Sequence, residues 1–270
     1  MPELPEVETT VRDLRPHLVG RTFTGVEALV PRMVRTPSPE AFAAGLAGRT
    51  AQTLDRRGKF IVARLDRGAL VAHLMMGGSF RWAAPGSGEP VRFTCFRFHL
   101  DDRSELWLVN PRTLGGVWLV DDASEVVGHL GPEPLDDDFI LEVLKRQLAG
   151  RTAPIKPLLL DQSIVAGVGN IYADESLFLA GIRPERPADE LTDAELARLH
   201  AAIRESLDKG VRLRGTSFDD YLNPDGSKGE HQEHTNVFRR EGKPCPTCGT
   251  PIQKKTFRGR GTHYCAQCQR

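Results

Sequence analysis

The chain has 270 residues, 40% hydrophobic and 27% charged, the size and composition of an ordinary globular protein with room for two domains and a small module. Its 36 basic residues balance 36 acidic ones, which excludes a uniformly basic nucleic-acid binder and leaves a polarised one. No run of 18 apolar residues and no basic-then-apolar leader occurs, so a cytoplasmic protein without membrane contact is expected.

Val7, Val11, Leu14 and Leu18 recur at helical spacing after Pro5, predicting a first helix from about Glu6 with an acidic first turn suited to the helix dipole. Strand signals follow over 22–30, 50–65, 69–75, 93–100, 105–109 and 117–120, separated by Gly, Pro and Asp turns, the pattern of a β-sandwich. Residues 131–138 read as a linker, because their prolines cannot continue a helix and their charges favour solvent. Beyond them the pattern turns helical. Residues 139–148 are amphipathic, 171–180 follow a glycine turn, and Thr192-Asp193-Ala194-Glu195 has the form of a capping box opening a helix to about Lys209. Residues 215–229 read as a loop. The expected class is α+β: an N-terminal β-sandwich with flanking helices over 1–128, a linker over 129–138, a helical part over 139–232 and a cysteine module over 233–270.

That module holds Cys245-Pro-Thr-Cys248 and Cys265-Ala-Gln-Cys268, two tight turns each presenting two sulfurs. The spacing is that of a four-thiolate site for one structural zinc ion, with two disulfides or redox pairs as the alternative. Between the pairs lie Lys254, Lys255, Phe257, Arg258 and Arg260, which fit either a DNA-contacting finger or a zinc ribbon with a solvated basic surface. From 239 to 270 there are eight basic residues against Glu241 alone, a local charge of +7. Cys95 reads as a core residue of an apolar strand.

Met1 precedes Pro2, and a small second residue favours loss of the initiator methionine, which would leave proline with a free secondary amine. Such an amine can attack a sugar C1′ and form an iminium ion, an electron sink that acidifies the C2′ proton and permits elimination of the 3′ phosphate without a metal. Glu3 beside it could donate a proton to the ring oxygen or the leaving base. On residue chemistry alone, Pro-Glu at an N-terminus is ordinarily a solvated start. The run Met1-Pro2-Glu3-Leu4-Pro5-Glu6-Val7-Glu8-Thr9, however, resembles the opening of bacterial formamidopyrimidine-DNA glycosylases. The resemblance continues through Arg57-Gly58-Lys59, 73–79, 130–135, Gly167-Val168-Gly169-Asn170-Ile171-Tyr172 and the cysteine pairs. Leu4 favours this branch over the related endonuclease VIII branch, which tends to carry glycine there.

The resemblance implies a C-terminal helix-two-turns-helix domain with a β-hairpin zinc finger. It implies excision of oxidised purines from double-stranded DNA by a monomer, followed by β,δ-elimination. In that frame Pro2 is the Schiff-base nucleophile and Glu3 the proton donor. Glu6 and Glu175 support the site, and Lys59 lies near the lesion and its phosphate; without the family it reads as a solvated strand lysine. Asn170, Arg258 and Arg260 face phosphates, with Arg260 counted among the catalytic groups, and Lys156 is an accessory contact near the backbone. Met76, otherwise a core methionine, fills the space left by the flipped base, and Arg112 meets the orphaned cytosine. The usual run Asp-Pro-Arg-Arg-Phe-Gly reads Asn110-Pro111-Arg112-Thr113-Leu114-Gly115 here, so Leu114 offers a weaker wedge than phenylalanine. The 225–231 segment, in the lid over the flipped base, also lacks the aromatic that commonly follows its last glycine. These departures keep two alternatives open: an endonuclease VIII-like enzyme for oxidised pyrimidines, and a catalytically silent DNA-binding protein.

Overall fold

In the computed structural model, which describes residues 1–218 and 220–270, Val7, Val11, Leu14 and Leu18 form the buried face of helix α1 (Leu4–Leu18). The helix starts earlier than its periodicity suggests, because Pro5 sits in the first turn, where its missing N–H has no intrahelical role. Nine strands follow: β1 (Phe23–Ala28), β2 (Val34–Thr36), β3 (Ala51–Arg57), β4 (Phe60–Leu65), β5 (Ala69–His73), β6 (Ser79–Ala83), β7 (Thr94–Leu100), β8 (Glu105–Val109) and β9 (Gly116–Val120). Helix α2 (Pro39–Leu46) lies between β2 and β3, and α3 (Ser124–Val127) follows β9. The strands make a four-stranded sheet in the order β1-β7-β8-β6 and a five-stranded sheet in the order β2-β9-β5-β4-β3. All pairings are antiparallel except β2 with β9. The core joins α1 and α2 to both sheets through residues such as Phe42, Leu46, Phe96, Phe98, Leu108 and Val117.

The expected strand over 50–65 is two strands, turning at Gly58 with φ +57°. Strand β6 carries no alternating signal, since Arg81 and Trp82 are both half-buried, and Trp82 stacks on His17 of α1 at 4.1 Å. Helix α2 has a legible start: Ser38 accepts the Ala41 N–H at 3.3 Å and Pro39 opens the first turn.

Two compact units divide the chain. The first is Met1–His129 with Leu213–Glu230; the second is Leu130–Arg212 with His231–Arg270. The segment Leu213–Glu230 thus belongs with the sandwich rather than with the helices that precede it. Arg214 bonds both oxygens of Asp13 on α1 at 3.1 and 2.7 Å, and the Trp82 N–H donates to Pro224 O at 3.3 Å. Position 219 of the expected loop lies outside the described residues.

In the second unit α4 (Leu141–Leu148), α5 (Ile155–Leu160), α6 (Asn170–Ala180) and α7 (Asp193–Arg212) precede a hairpin of β10 (Gln253–Phe257) and β11 (Arg260–Tyr264). Thr192 and Glu195 form the expected capping box: the Glu195 N–H donates to Thr192 Oγ1 at 3.3 Å and the Thr192 N–H to Glu195 Oε2 at 2.9 Å. The 131–138 stretch is pinned rather than free. Its Gly131 N–H donates to Gln162 O at 2.8 Å, and a Cβ on Gly131 would lie 2.4 Å from Ser163 O. The cysteine module packs with the helices, since Arg183 N–H donates to Arg270 O at 2.9 Å and Arg270 N–H to Gly181 O at 3.0 Å. Among the described residues no helix is long and apolar enough to cross a membrane.

Candidate active site and nucleic-acid interface

Pro2 directly precedes α1, Glu3 is its N-cap and Glu6 lies in its first turn; all three are buried, while Met1 is exposed. One oxygen of Glu6 accepts the Glu3 N–H at 2.7 Å, and the other accepts the Thr216 N–H at 2.7 Å. A single carboxylate therefore fixes the backbone at Glu3 and the start of the returning loop. Gly215 makes this approach possible: its φ is +76°, and a Cβ there would sit 2.8 Å from Glu6 Cγ. Farther along the loop the buried Tyr221 hydroxyl donates to Glu6 O at 2.8 Å and lies 3.1 Å from Thr10 Oγ1. Burial pushes the Tyr221 pKa up, so the phenol stays neutral.

Lys59 follows Gly58 in the β3–β4 turn and is buried, not solvated. Its neighbour His73, at the end of β5, has its pKa lowered to about 4, first by burial and then by the Lys59 charge. The neutral imidazole accepts the Met75 N–H through Nδ1 at 3.1 Å. That bond starts a turn in which Met75 has φ +50° and Gly77 +76°, and it leaves Met76 38% exposed. A Cβ on Gly78 would stand 2.1 Å from Leu74 O.

Met76 meets Arg112, whose Nη1 is 3.5 Å from Met76 Sδ. Asn110 holds the two loops together from beneath. Fully buried, it donates to Leu74 O at 2.8 Å through Nδ2 and accepts the Arg112 N–H at 3.1 Å through Oδ1. Leu114 projects from the same loop, 41% exposed. Arg32 bonds Thr113, and Arg35 donates to Gly115 O at 3.1 Å. His73, Tyr221 and Arg32 were given no role by sequence reasoning. His73 stands inside one of the motifs that carry the resemblance, whereas the other two carry no local signal.

In the second unit, α6 begins at Asn170 after Gly167 with φ +84°. The Asn170 side-chain amide donates to Gly261 O at 2.9 Å, which joins the helix N-terminus to β11. Lys156 is only 1% exposed, and its ammonium is engaged by Asp174 Oδ1 at 2.7 Å, Thr262 Oγ1 at 2.8 Å and Gly261 O at 3.2 Å. This is no surface lysine. Glu175 accepts the N–H groups of Asn236 at 2.7 Å and of Val237 and Phe238 at 2.9 Å each.

The β10–β11 turn consists of Arg258 with φ +46° and Gly259 with φ +73°, positive at both central positions as a type I′ turn requires. Arg258 within the turn and Arg260 directly after it are both exposed. Lys254 is exposed and pairs with the exposed Glu241 at 3.5 Å, while the half-buried Lys255 pairs with Glu185 and lies 4.7 Å from the Tyr264 ring centre. Of these four cations Lys254, Arg258 and Arg260 stay open to solvent and Lys255 is partly withdrawn.

The four sulfurs of Cys245, Cys248, Cys265 and Cys268 lie within 4.8 Å of one another, with pairs at 3.9 and 3.5 Å. Sulfurs about 2.3 Å from a tetrahedral zinc stand about 3.8 Å apart, whereas a disulfide needs about 2.0 Å. The cluster fits one zinc ion and excludes the disulfide alternative. Thr247 N–H and Cys268 N–H each donate to a cysteine sulfur at 3.4 Å, and Phe178, Val237 and Ile252 cover Cys245 and Cys265.

Residues 1–117 match the formamidopyrimidine-DNA glycosylase N-terminal domain, 130–221 its H2TH domain, and 242–270 a zinc finger found in FPG and IleRS. Formamidopyrimidine-DNA glycosylase of Symbiobacterium thermophilum is 47% identical, covering 100% of this chain and 89% of its own. That of Geobacillus kaustophilus is 45% identical and covers 100% of both. Among solved structures, MutM (Fpg) of Thermus thermophilus superposes with a TM-score of 0.89 at 43% identity, covering 99% of this chain and 98% of that one. Lactococcus lactis Fpg in complex with an abasic site containing DNA gives 0.92 at 36% identity, with 99% of each chain covered. With three consecutive domains matched in order and relatives similar from end to end, the chain belongs to the formamidopyrimidine-DNA glycosylase family.

Proposed function

We propose that this chain is a base-excision-repair glycosylase that removes oxidised purines from duplex DNA and then cleaves the abasic site by β,δ-elimination. The observation that carries the reading is the buried Pro2-Glu3 pair at the start of α1, with Glu6 holding the Glu3 backbone. In this chain the Pro2 nitrogen is in a peptide bond with Met1, so the nucleophile exists only after Met1 is removed. The freed amine attacks C1′ and sheds its proton as the base leaves with the electrons of its glycosidic bond; the nitrogen lone pair then expels the ring oxygen O4′, which Glu3 protonates, and the C1′–O4′ bond opens to an iminium. The resulting iminium draws electrons from C2′, whose proton is lost as the 3′ phosphate departs. Lys59, buried beside His73, supplies a fixed cation near the reacting sugar. Met76, Arg112 and Leu114 fill and read the space left by the flipped base, while Asn170, Arg258 and Arg260 grip phosphates. Cys245, Cys248, Cys265 and Cys268 would hold one zinc ion between them, and the bound ion would keep the hairpin folded. The chain acts as a monomer in the cytoplasm.

The test is borohydride trapping on a duplex with 8-oxoguanine opposite cytosine, alongside mass spectrometry of the N-terminus. The Met1-free protein should form a covalent adduct, and Pro2→Gly should lose it. Absence of an adduct with Met1-free wild type would overturn the reading. Faster cleavage of thymine glycol than of 8-oxoguanine would move the substrate to oxidised pyrimidines.

A further inference from the structure

The second unit contains an ion pair that the reaction leaves without a task. Lys156 at the start of α5 and Asp174 in α6 are 1% and 0% exposed and meet at 2.7 Å. Removing two charges from water is costly, so such a pair is kept only where further bonds satisfy it. Here the ammonium donates to Thr262 Oγ1 at 2.8 Å and to Gly261 O at 3.2 Å, and it faces Asp174 Oδ1 as an ion pair. Asp174 Oδ2 takes the His263 N–H at 2.9 Å and lies 3.2 Å from His263 Nδ1. The Thr262 hydroxyl, receiving from Lys156, passes its own proton to Arg260 O at 3.2 Å. Gly261 O also accepts from Asn170. Every residue from Arg260 to His263 is therefore tied, directly or through one hydroxyl, to this one pair.

We propose that Lys156 and Asp174 are positioning residues: a buried strut that fixes strand β11 on the first turns of α6, so that Arg260 and Asn170 are presented to the DNA backbone as one rigid element. Lys156 acts through the Gly261 carbonyl and the Thr262 hydroxyl and does not itself touch DNA. The functional half of this proposal rests on the glycosylase reading; the structural half does not.

Opposite charge changes separate a strut from a phosphate contact. Lys156→Met, Asp174→Asn and the uncharged double variant Lys156→Met/Asp174→Leu would be made in the full-length, zinc-loaded, Met1-free protein. A phosphate-binding Lys156 would lose affinity and about one unit of salt slope on replacement by Met, while Asp174→Asn, which removes a negative charge, would bind DNA as well or better. A strut predicts that both single variants slow strand cleavage at saturating DNA in the same direction, by up to roughly 100-fold, the scale of an ångström-level misplacement. It predicts an unchanged salt slope, one zinc per chain, and a double variant no worse than either single one. Lys156→Met leaves a buried carboxylate unpaired, so the near-isosteric Asp174→Asn and the uncharged double variant carry the decision.

Without DNA, the His263 amide should exchange roughly tenfold faster in Asp174→Asn and in the double variant. That measurement stands even if the wild type proves to cleave nothing. Full cleavage rates in the double variant, unchanged His263 exchange, or a salt-slope loss confined to Lys156→Met would each overturn the strut.

Discussion

Asn110→Asp restores the acid usual in the family at this position, and it should nevertheless destabilise this chain. The Asn110 amide donates to Leu74 O at 2.8 Å and accepts the Arg112 N–H at 3.1 Å, with no part of the side chain exposed. Its backbone is equally fixed, with the N–H on Phe93 O at 3.0 Å and the carbonyl taking the Thr113 N–H at 3.1 Å. The glycines around it leave no slack, since a Cβ on Gly78 or Gly115 would lie 3.0 or 3.2 Å from Asn110 Nδ2. An ionised aspartate would turn an acceptor toward the Leu74 carbonyl, losing one hydrogen bond and leaving a buried acceptor unmet, at about 1–3 kcal/mol. A protonated aspartate can still donate to Leu74 O, so the folded-state pKa of the new acid is raised. A raised pKa contributes stability fully below the unfolded value near 3.9 and loses it as pH rises. The variant should therefore match its parent near pH 4 and trail it at pH 7.5 by about 2 kcal/mol, or roughly 4–8 °C in Tm for a unit of this size. Thermal unfolding of both proteins at the two pH values measures the gap. Equal Tm at pH 7.5, or a gap that widens toward acid, would refute the reasoning.

Leu114→Phe should tighten binding to an abasic duplex by roughly five- to tenfold without changing Tm, because Leu114 is exposed and stacking on a base is worth about 1–3 kcal/mol; fluorescence anisotropy measures it. Zinc removal by a strong chelator should unfold the β10–β11 hairpin, release one ion per chain and weaken DNA binding, and metal analysis with the same binding assay checks the link. Acid should destabilise the parent through His73 and His231, whose pKa values are both lowered to about 4, chiefly by burial. With folded values below the unfolded one near 6.5, their neutral forms support the fold above that pH. The support is lost between 6.5 and 4, by up to about 3 kcal/mol each, and urea midpoints across that range measure it.

Short-range chemistry was legible in the sequence. The CxxC pairs, the Thr192 capping box and the apolar face of α1 need only local spacing, and each forms as expected. The engagement of charged side chains was not legible. Lys156 reads as a surface contact because its partners stand far along the chain, at Asp174 and at Gly261 and Thr262. The pairing of Lys254 with Glu241 and of Lys255 with Glu185 was hidden for the same reason, since the sequence offered only a basic run that fits either a DNA-contacting finger or a solvated zinc ribbon. The 131–138 linker was inferred from proline and charge, which rule out a helix without saying whether the stretch is held; the Gly131–Gln162 bond is long-range. Asn110 was visible only as a missing acid. Its value as a donor emerges once Leu74 O is seen opposite its amide.

Glu6 and Glu175 share one physical device, and it explains why the family resemblance groups two glutamates so far apart. Each sits on a helix and collects backbone N–H groups: Glu6 takes those of Glu3, the N-cap of its own helix, and of Thr216 in the returning loop, and Glu175 takes those of Asn236, Val237 and Phe238. A carboxylate suits this work because it only accepts, offers several lone pairs at once, and makes bonds about twice as strong as a neutral acceptor would. A glutamine in either place would present one donor edge to N–H groups that need acceptors. The two glutamates hold the Thr216 loop beside the Glu3 backbone and the 236–238 approach to the zinc module, each within its own unit. Glu6 thereby fixes the backbone of Glu3, and Glu175 fixes the 236–238 segment.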